Sequence, residues 1–250
     1  MHKKTVCHIG TSGWHYDHWR GPFYPTDLPP KDFLSFYARH FRAVEINNSF
    51  YHLPAKRTLK QWAGTVDEGF CFAVKASRYI THMKKLKDPA ESLRLFLDTI
   101  AVLGQKRGPV LFQLPPRWRC NADRLQAFLE QLPIRWPVVF EFRDESWFNP
   151  TVYTLLSQAN AAFCIYELAG LTSPEVITAD VVYVRLHGPT TTAYQGCYSD
   201  RQLADWADKL SAWAWSGKRV YCFFDNDQNA FAAQNALTLQ RMIAERISGR

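Results

Sequence analysis

The sequence predicts one α/β domain over residues 1–250, a (β/α)8 barrel of the TIM type with a closed parallel sheet of eight strands. Three observations support that expectation. Eight short runs rich in β-branched and aromatic residues alternate with segments of helical periodicity. Each of the six strand-like runs with a readable alternation has one wholly apolar face. No Ser/Gly/Pro-rich linker or internal repeat divides the chain, and 250 residues at 47% hydrophobic and 21% charged suit a single barrel.

The strands are expected to begin near Cys7, Ala43, Phe70, Val110, Val138, Ala161, Val181 and Val220. Helical periodicity reads at Asp32–Phe41, Arg57–Val66, Ala90–Leu103, Ala122–Leu132, Pro150–Ala159, Arg201–Trp215 and Phe231–Ile247, with Asn121, Asn149 and Ser199 placed as N-caps. The connection after the sixth strand is the weakest, because Thr172-Ser173-Pro174-Glu175 opens at most a short helix. Strands that alternate with helices pair in parallel, and eight units favour closure over an open doubly wound sheet.

Side-chain parity gives a sharper test, since neighbours along a strand point to opposite faces. Val44 and Ile46 oppose Glu45 and Asn47; Phe72 and Val74 oppose Ala73 and Lys75; Val110, Phe112 and Leu114 oppose Leu111 and Gln113. Phe140 and Phe142 oppose Val139, Glu141 and Arg143; Val182, Val184 and Leu186 oppose Tyr183, Arg185 and His187; Val220, Cys222 and Phe224 oppose Tyr221, Phe223 and Asp225. In a barrel the apolar face meets the helices and the other fills the interior. That inner face turns polar toward the C-terminal end of nearly every strand. Ionisable groups are costly in a core, and active sites of this architecture lie at the C-terminal rim, so the site is expected there.

Composition bounds the function classes. A formal net charge of +7 fits an anionic partner such as nucleic acid, a nucleotide or a phosphorylated metabolite, although many soluble enzymes are as basic. Met1-His2-Lys3-Lys4-Thr5-Val6 leads into the first strand without an apolar targeting region, and no apolar stretch is long enough to span a bilayer. A soluble, cytoplasmic protein with no membrane partner is expected. The six cysteines show no C-x-x-C spacing, and Cys7, Cys71, Cys164 and Cys222 lie in apolar runs, which argues against a zinc site or a disulfide framework. Walker, G-x-G-x-x-G and H-E-x-x-H motifs are absent, and Gly10-Thr11-Ser12-Gly13 is not a nucleophile elbow.

Ile9-Gly10-Thr11-Ser12-Gly13-Trp14, Phe41-x-x-Val44-Glu45-Ile46-Asn47-Asn48-Ser49-Phe50-Tyr51, Phe72-x-Val74-Lys75, Phe112-Gln113-Leu114-Pro115-Pro116 and Glu141-Phe142-Arg143 follow one another strand by strand. In these motifs the chain resembles the YecE-like family, domain of unknown function 72. The resemblance implies a TIM-type barrel and brings no settled activity; a likeness of such barrels to the endonuclease IV class has suggested DNA binding.

The candidate catalytic residues are Glu45, Glu141, His187 and Asp225. Two carboxylates in different environments can divide the roles of general acid and base; equally, Lys75, Arg143 and Arg185 can neutralise them in a buried network. The candidate substrate-binding residues are Trp14, Asn47, Tyr51, Lys75, Gln113, Arg143, Trp147 and Arg185. Lys75 suits an anion-holding charge better than imine chemistry, because Arg143, Arg185 and His187 surround it. Arg143 and Arg185 suit bidentate binding of phosphate or carboxylate.

No cofactor is expected. A magnesium or manganese ion would draw on Glu45, Glu141, Asp225, Asp227 and His187, whereas an endonuclease IV-like cluster needs several histidines. The rim lacks them: His8 lies early in the first strand, and His15, His18, His52 and His82 fall in loops. Those loops interleave rings and cations at Trp14, Trp19, Arg20 and Tyr24, at Arg78, Tyr79, Lys84, Lys85 and Lys87, and at Arg117, Trp118 and Arg119, with Tyr194 beyond. Such a surface stacks bases and holds phosphates, unless its rings pack under the loops. A phosphate-bearing ligand, nucleic acid included, bound at the mouth with or without hydrolysis is the first expectation. A lyase, isomerase or hydrolase acting on a sugar or carboxylate is the second, and a non-catalytic interaction module the third.

Overall fold

Nine strands form the sheet of the computed structural model, which describes residues 7–133 and 136–248; the lead-in at residues 1–6 lies outside them. In chain order they are β1 (Cys7–Thr11), β2 (Ala43–Ile46), β3 (Cys71–Lys75), β4 (Arg107–Gln113), β5 (Val138–Glu141), β6 (Ala162–Leu168), β7 (Leu171–Thr172), β8 (Val181–Leu186) and β9 (Arg219–Phe224). Around the sheet run β1-β9-β8-β6-β5-β4-β3-β2, every neighbour parallel, with β7 antiparallel on β6. The helices are α1 (Phe33–His40), α2 (Lys56–Thr65), α3 (Ala90–Ile100), α4 (Ala122–Leu129), α5 (Pro150–Gln158), α6 (Asp200–Trp215) and α7 (Phe231–Ser248). The fold is thus the expected TIM-like barrel, its eight main strands nearly closed and wrapped by helices.

Closure is completed where β1 meets β2, and the local chemistry explains why the seam is short. A Cβ on Gly10 would stand 2.1 Å from the Ala43 carbonyl oxygen, so only glycine lets the two backbones approach there. The buried Tyr37 phenol from α1 bridges the strands, accepting from Thr11 N at 2.9 Å and donating to Ala43 O at 3.1 Å. One turn higher, Ser12 bridges Glu45, and Gly13 N donates to Glu45 O at 2.9 Å.

Parity holds throughout. Val44, Ile46, Phe72, Val74, Val110 and Phe112 join the outer core against the helices, while Ala43, Ala73, Leu111, Val139, Tyr183 and Phe223 pack into a separate inner cluster. Three caps fall as expected: Asn121 accepts from Arg124 N at 2.8 Å, Asn149 from Val152 N at 3.1 Å, and Ser199 with Gln202 makes a capping box. Helix α3 ends earlier than periodicity suggests, passing into a 3-10 stretch, Ala101–Lys106, that kinks at Gly104.

After β6 the chain differs from expectation. Instead of a short helix, Leu168 pairs with Leu171 across a two-residue turn in which Ala169 (φ 51°) and Gly170 (φ 80°) both have positive φ. That is the signature of a type I′ hairpin. The returning segment lies along β6: Ser173 Oγ accepts from Tyr166 N at 2.9 Å and Thr178 Oγ1 from Phe163 N at 2.8 Å. Polar side chains of this segment satisfy backbone donors of the strand.

Candidate functional site at the barrel mouth

Inner-face residues at the ends of five strands converge on one guanidinium. Arg185, at the inner end of β8, is fully buried. Its Nη2 donates to Glu45 Oε1 at 2.7 Å and Asp225 Oδ2 at 3.2 Å, and its Nη1 to Glu141 Oε2 at 2.9 Å. Glu45 also accepts from Ser12 Oγ and from Tyr183 Oη, the latter at 2.7 Å. Arg143 donates to the other oxygen of Glu141. Glu45, Glu141 and Asp225 therefore turn inward onto Arg185 rather than toward solvent.

His187 completes the layer, and its tautomer follows from its partners. Nε2 lies 3.1 Å from Arg143 Nη2 and 3.3 Å from Arg185 Nη1, both obligatory donors, so it must accept. Nδ1 then carries the proton and donates to Asp225 Oδ2 at 3.0 Å. Burial and the Arg185 charge push this imidazole down to about 4, against the pull of Asp225. It is neutral at physiological pH, with both nitrogens engaged.

Glu141 and Asp225 are held ionised. Burial pushes Glu141 up, but Arg143 and Arg185 outweigh it and hold the carboxyl well below the usual carboxylate range. Burial likewise raises Asp225, and the His187 N–H with Arg185 brings it below its ordinary value.

Lys75 behaves differently. The residue is only 8% exposed at the inner end of β3, yet among the described residues its ammonium has no ion pair or hydrogen bond and lies 4.4 Å above the Phe50 ring. Burial first, and Arg185 second, push its pKa down to about 8. Over it stands His82, set against Phe50 by a wide turn of π type at Tyr79–Met83, and lowered to about 4 by burial and the charge of Lys75. Such turns are frequent at functional sites. From the sequence His82 is only a loop histidine.

The remaining expected residues divide. Gln113 is half-buried at the inner end of β4, and Tyr51 is exposed. Trp14 is buried edge-on to Trp62 and, with Asn47 and Tyr51, lines a cleft of about 590 Å³. Trp147 is not at the mouth: it is fully buried, stacked on Phe142, with its indole N–H donated to Trp118 O. Its ring completes the packing outside the barrel, as do those of Trp19 and Tyr24. Ser12 and Tyr183, which support Glu45, were visible only as a motif serine and an inner-face tyrosine. Tyr194 reaches the site through a positive-φ loop position and packs edge-on to His187 at 5.5 Å.

Among the described residues no group of three His, Cys, Asp or Glu side chains is arranged to hold a metal ion, because the carboxylates face Arg185. All six cysteines are free thiols, and no described helix is long and apolar enough to cross a membrane.

Comparison with known proteins agrees with this architecture. UPF0759 protein YunF of Bacillus subtilis is 28% identical over 98% of this chain and 97% of its own length. YecE of Escherichia coli K12 is 30% identical over 46% of this chain and 43% of its own. The crystal structure of a DUF72 family protein from Thermotoga maritima superposes with a TM-score of 0.87 at 28% identity, covering 96% of this chain and all of that one. One from Enterococcus faecalis shares the fold at a TM-score of 0.83 and 20% identity. The model for the protein family of unknown function DUF72 matches residues 8–249, and the chain belongs to that family.

Proposed function

We propose that the C-terminal mouth of the barrel binds a phosphate-bearing ligand, nucleic acid included, and that Lys75 is the charge that holds it. One observation leads to this reading: Lys75 is a buried ammonium with no protein counter-charge in contact, while both Nη nitrogens of Arg185 are tied to carboxylates. A cation left so is stabilised by any anion that reaches it. Arg143, over the Tyr166 ring at 4.8 Å, and exposed Arg78 extend the positive rim. Of the expected anion holders Lys75 keeps that role, and Arg185 becomes the clamp of the layer beneath.

The geometry gives less support to Glu45 and Glu141 as acid and base, since both accept from arginine and Glu141 stays ionised. Efficient proton transfer needs a pKa near the working pH, and in this layer Lys75 is the group that has one.

Titration with inorganic phosphate and with single- and double-stranded oligonucleotides at graded salt tests the reading. Wild-type protein should bind with counterion-dependent affinity, and Lys75→Gln should lose about tenfold or more. No binding at low salt sinks it.

A further inference from the structure

We propose that the cleft lined by Trp14, Trp62 and Tyr51 seats an aminopurine ring, so that the ligand held at Lys75 is an adenine-type nucleoside phosphate. The phosphate end of this assignment rests on the function proposed above; the base end stands on its own observations.

The first is an unmet acceptor. Asn47 Oδ1 is buried without a hydrogen-bond donor from the protein, and the amide N–H groups of Asn47 make no hydrogen bond among the described residues. An orphaned buried polar atom is costly, so the site gains when a partner arrives. The Cβ–Cγ torsion of asparagine is soft, so a turn of the amide presents acceptor and donor side by side to the cleft.

The second is the surroundings. Asn47 lines the cleft with Trp14, Trp62 and Tyr51; Trp62 is half-buried and Tyr51 is 64% exposed, which leaves flat faces for a ring to stack on. A volume of about 590 Å³ lies within the ordinary span of small-molecule sites. The third is register. Ile46 pairs with Val74, so Asn47 and Lys75 follow side by side at the ends of neighbouring strands, about 4.8 Å apart between backbones. One ligand can touch both.

The chemistry then selects the ring. A paired amide donor and acceptor matches adenine, which offers N6–H as donor and N7 as acceptor on one edge. A hypoxanthine ring has an oxygen at that position and cannot donate from it. A sugar alone offers no planar edge with a donor and an acceptor side by side.

Calorimetric titration of the full chain with adenosine 5′-monophosphate, inosine 5′-monophosphate, ribose 5-phosphate, adenosine and inorganic phosphate tests the assignment. Adenosine monophosphate should bind about tenfold or more tighter than the inosine and ribose phosphates. Asn47→Ala should erase that advantage. The ligand comparison on wild-type protein needs no variant, so a misfolded Asn47→Ala does not blunt the test. Equal affinity for adenosine and ribose phosphates overturns the base subsite while leaving the phosphate reading intact. Adenosine binding without phosphate binding sustains the subsite and removes the phosphate reading. Failure of both adenosine and its monophosphate overturns the subsite. A short oligodeoxyadenylate that binds more tightly than the mononucleotide identifies the source as a strand with an unstacked base; the reverse identifies a free nucleotide.

Discussion

Arg185 ties three carboxylates that would otherwise repel one another in a space closed to water. A buried ion cluster adds little net stability when intact, but removing one partner leaves charges that nothing solvates. Arg185→Met should therefore destabilise the protein by about 3–5 kcal/mol in chemical denaturation. An unchanged midpoint would mean that the guanidinium is dispensable to the layer. Lys75 makes the opposite prediction, because its charge is free to act on a ligand. With a pKa of about 8 it is ammonium at pH 7 and mostly neutral amine at pH 9. Affinity for sulfate, whose own charge is constant over this range, should fall as pH rises through that value, approaching tenfold per unit. Lys75→Arg should abolish the inflection, because arginine stays charged. A flat profile in the wild type would show that Lys75 does not hold the anion.

At the scale of elements, the turn after β6 shows what pattern reading can miss. Ala169 holds a left-handed conformation that costs a residue with a Cβ about 1 kcal/mol, and type I′ turns ordinarily put asparagine, aspartate or glycine there. Ala169→Asn should raise stability by about 0.5–1 kcal/mol, read as a higher denaturation midpoint, and a loss would mean that the turn is not of this type. Leu-Ala-Gly-Leu lacks the Asn-Gly cue that marks such a hairpin, so only a possible short helix was legible there. The other elements were legible because their signals are local and redundant. Apolar alternation located the strands, and Asn121, Asn149 and Ser199 announced helix starts through bonds to their own first turns. Helix ends were less readable: Gly104, which kinks the stretch after α3, has no periodicity of its own.

The polar layer belongs to the whole barrel, joining the ends of β1, β2, β5, β8 and β9 through Ser12, Glu45, Glu141, Arg185, His187 and Asp225. Parity revealed which residues point inward, since that depends on position in a strand. It did not reveal who pairs with whom: Tyr183 and Glu45 are 138 residues apart, and Trp147 gave no sign that it would pack outside the barrel. Because the layer clamps so many strands, its protonation state should govern the stability of the entire fold. His187 takes up a proton near 6.5 when unfolded but only at about 4 when folded. Between those values the unfolded chain binds a proton that the native one excludes, so stability must fall as pH drops through this window. Full protonation of that one group corresponds to about 3 kcal/mol. Glu141 and Asp225 have the complementary sign: their lowered pKa values stabilise the fold above the ordinary carboxylate range, and that contribution disappears only in stronger acid. Acid loss should thus begin near pH 6.5, well before Glu141 and Asp225 titrate. Urea denaturation at pH 7, 6 and 5 should show a steadily falling midpoint, and His187→Gln should make the decline shallower, leaving the part owed to His8 and His82, which burial also lowers to about 4. A midpoint constant from pH 7 to pH 5 would mean that the imidazole reaches water in the native state and that the layer is not sealed.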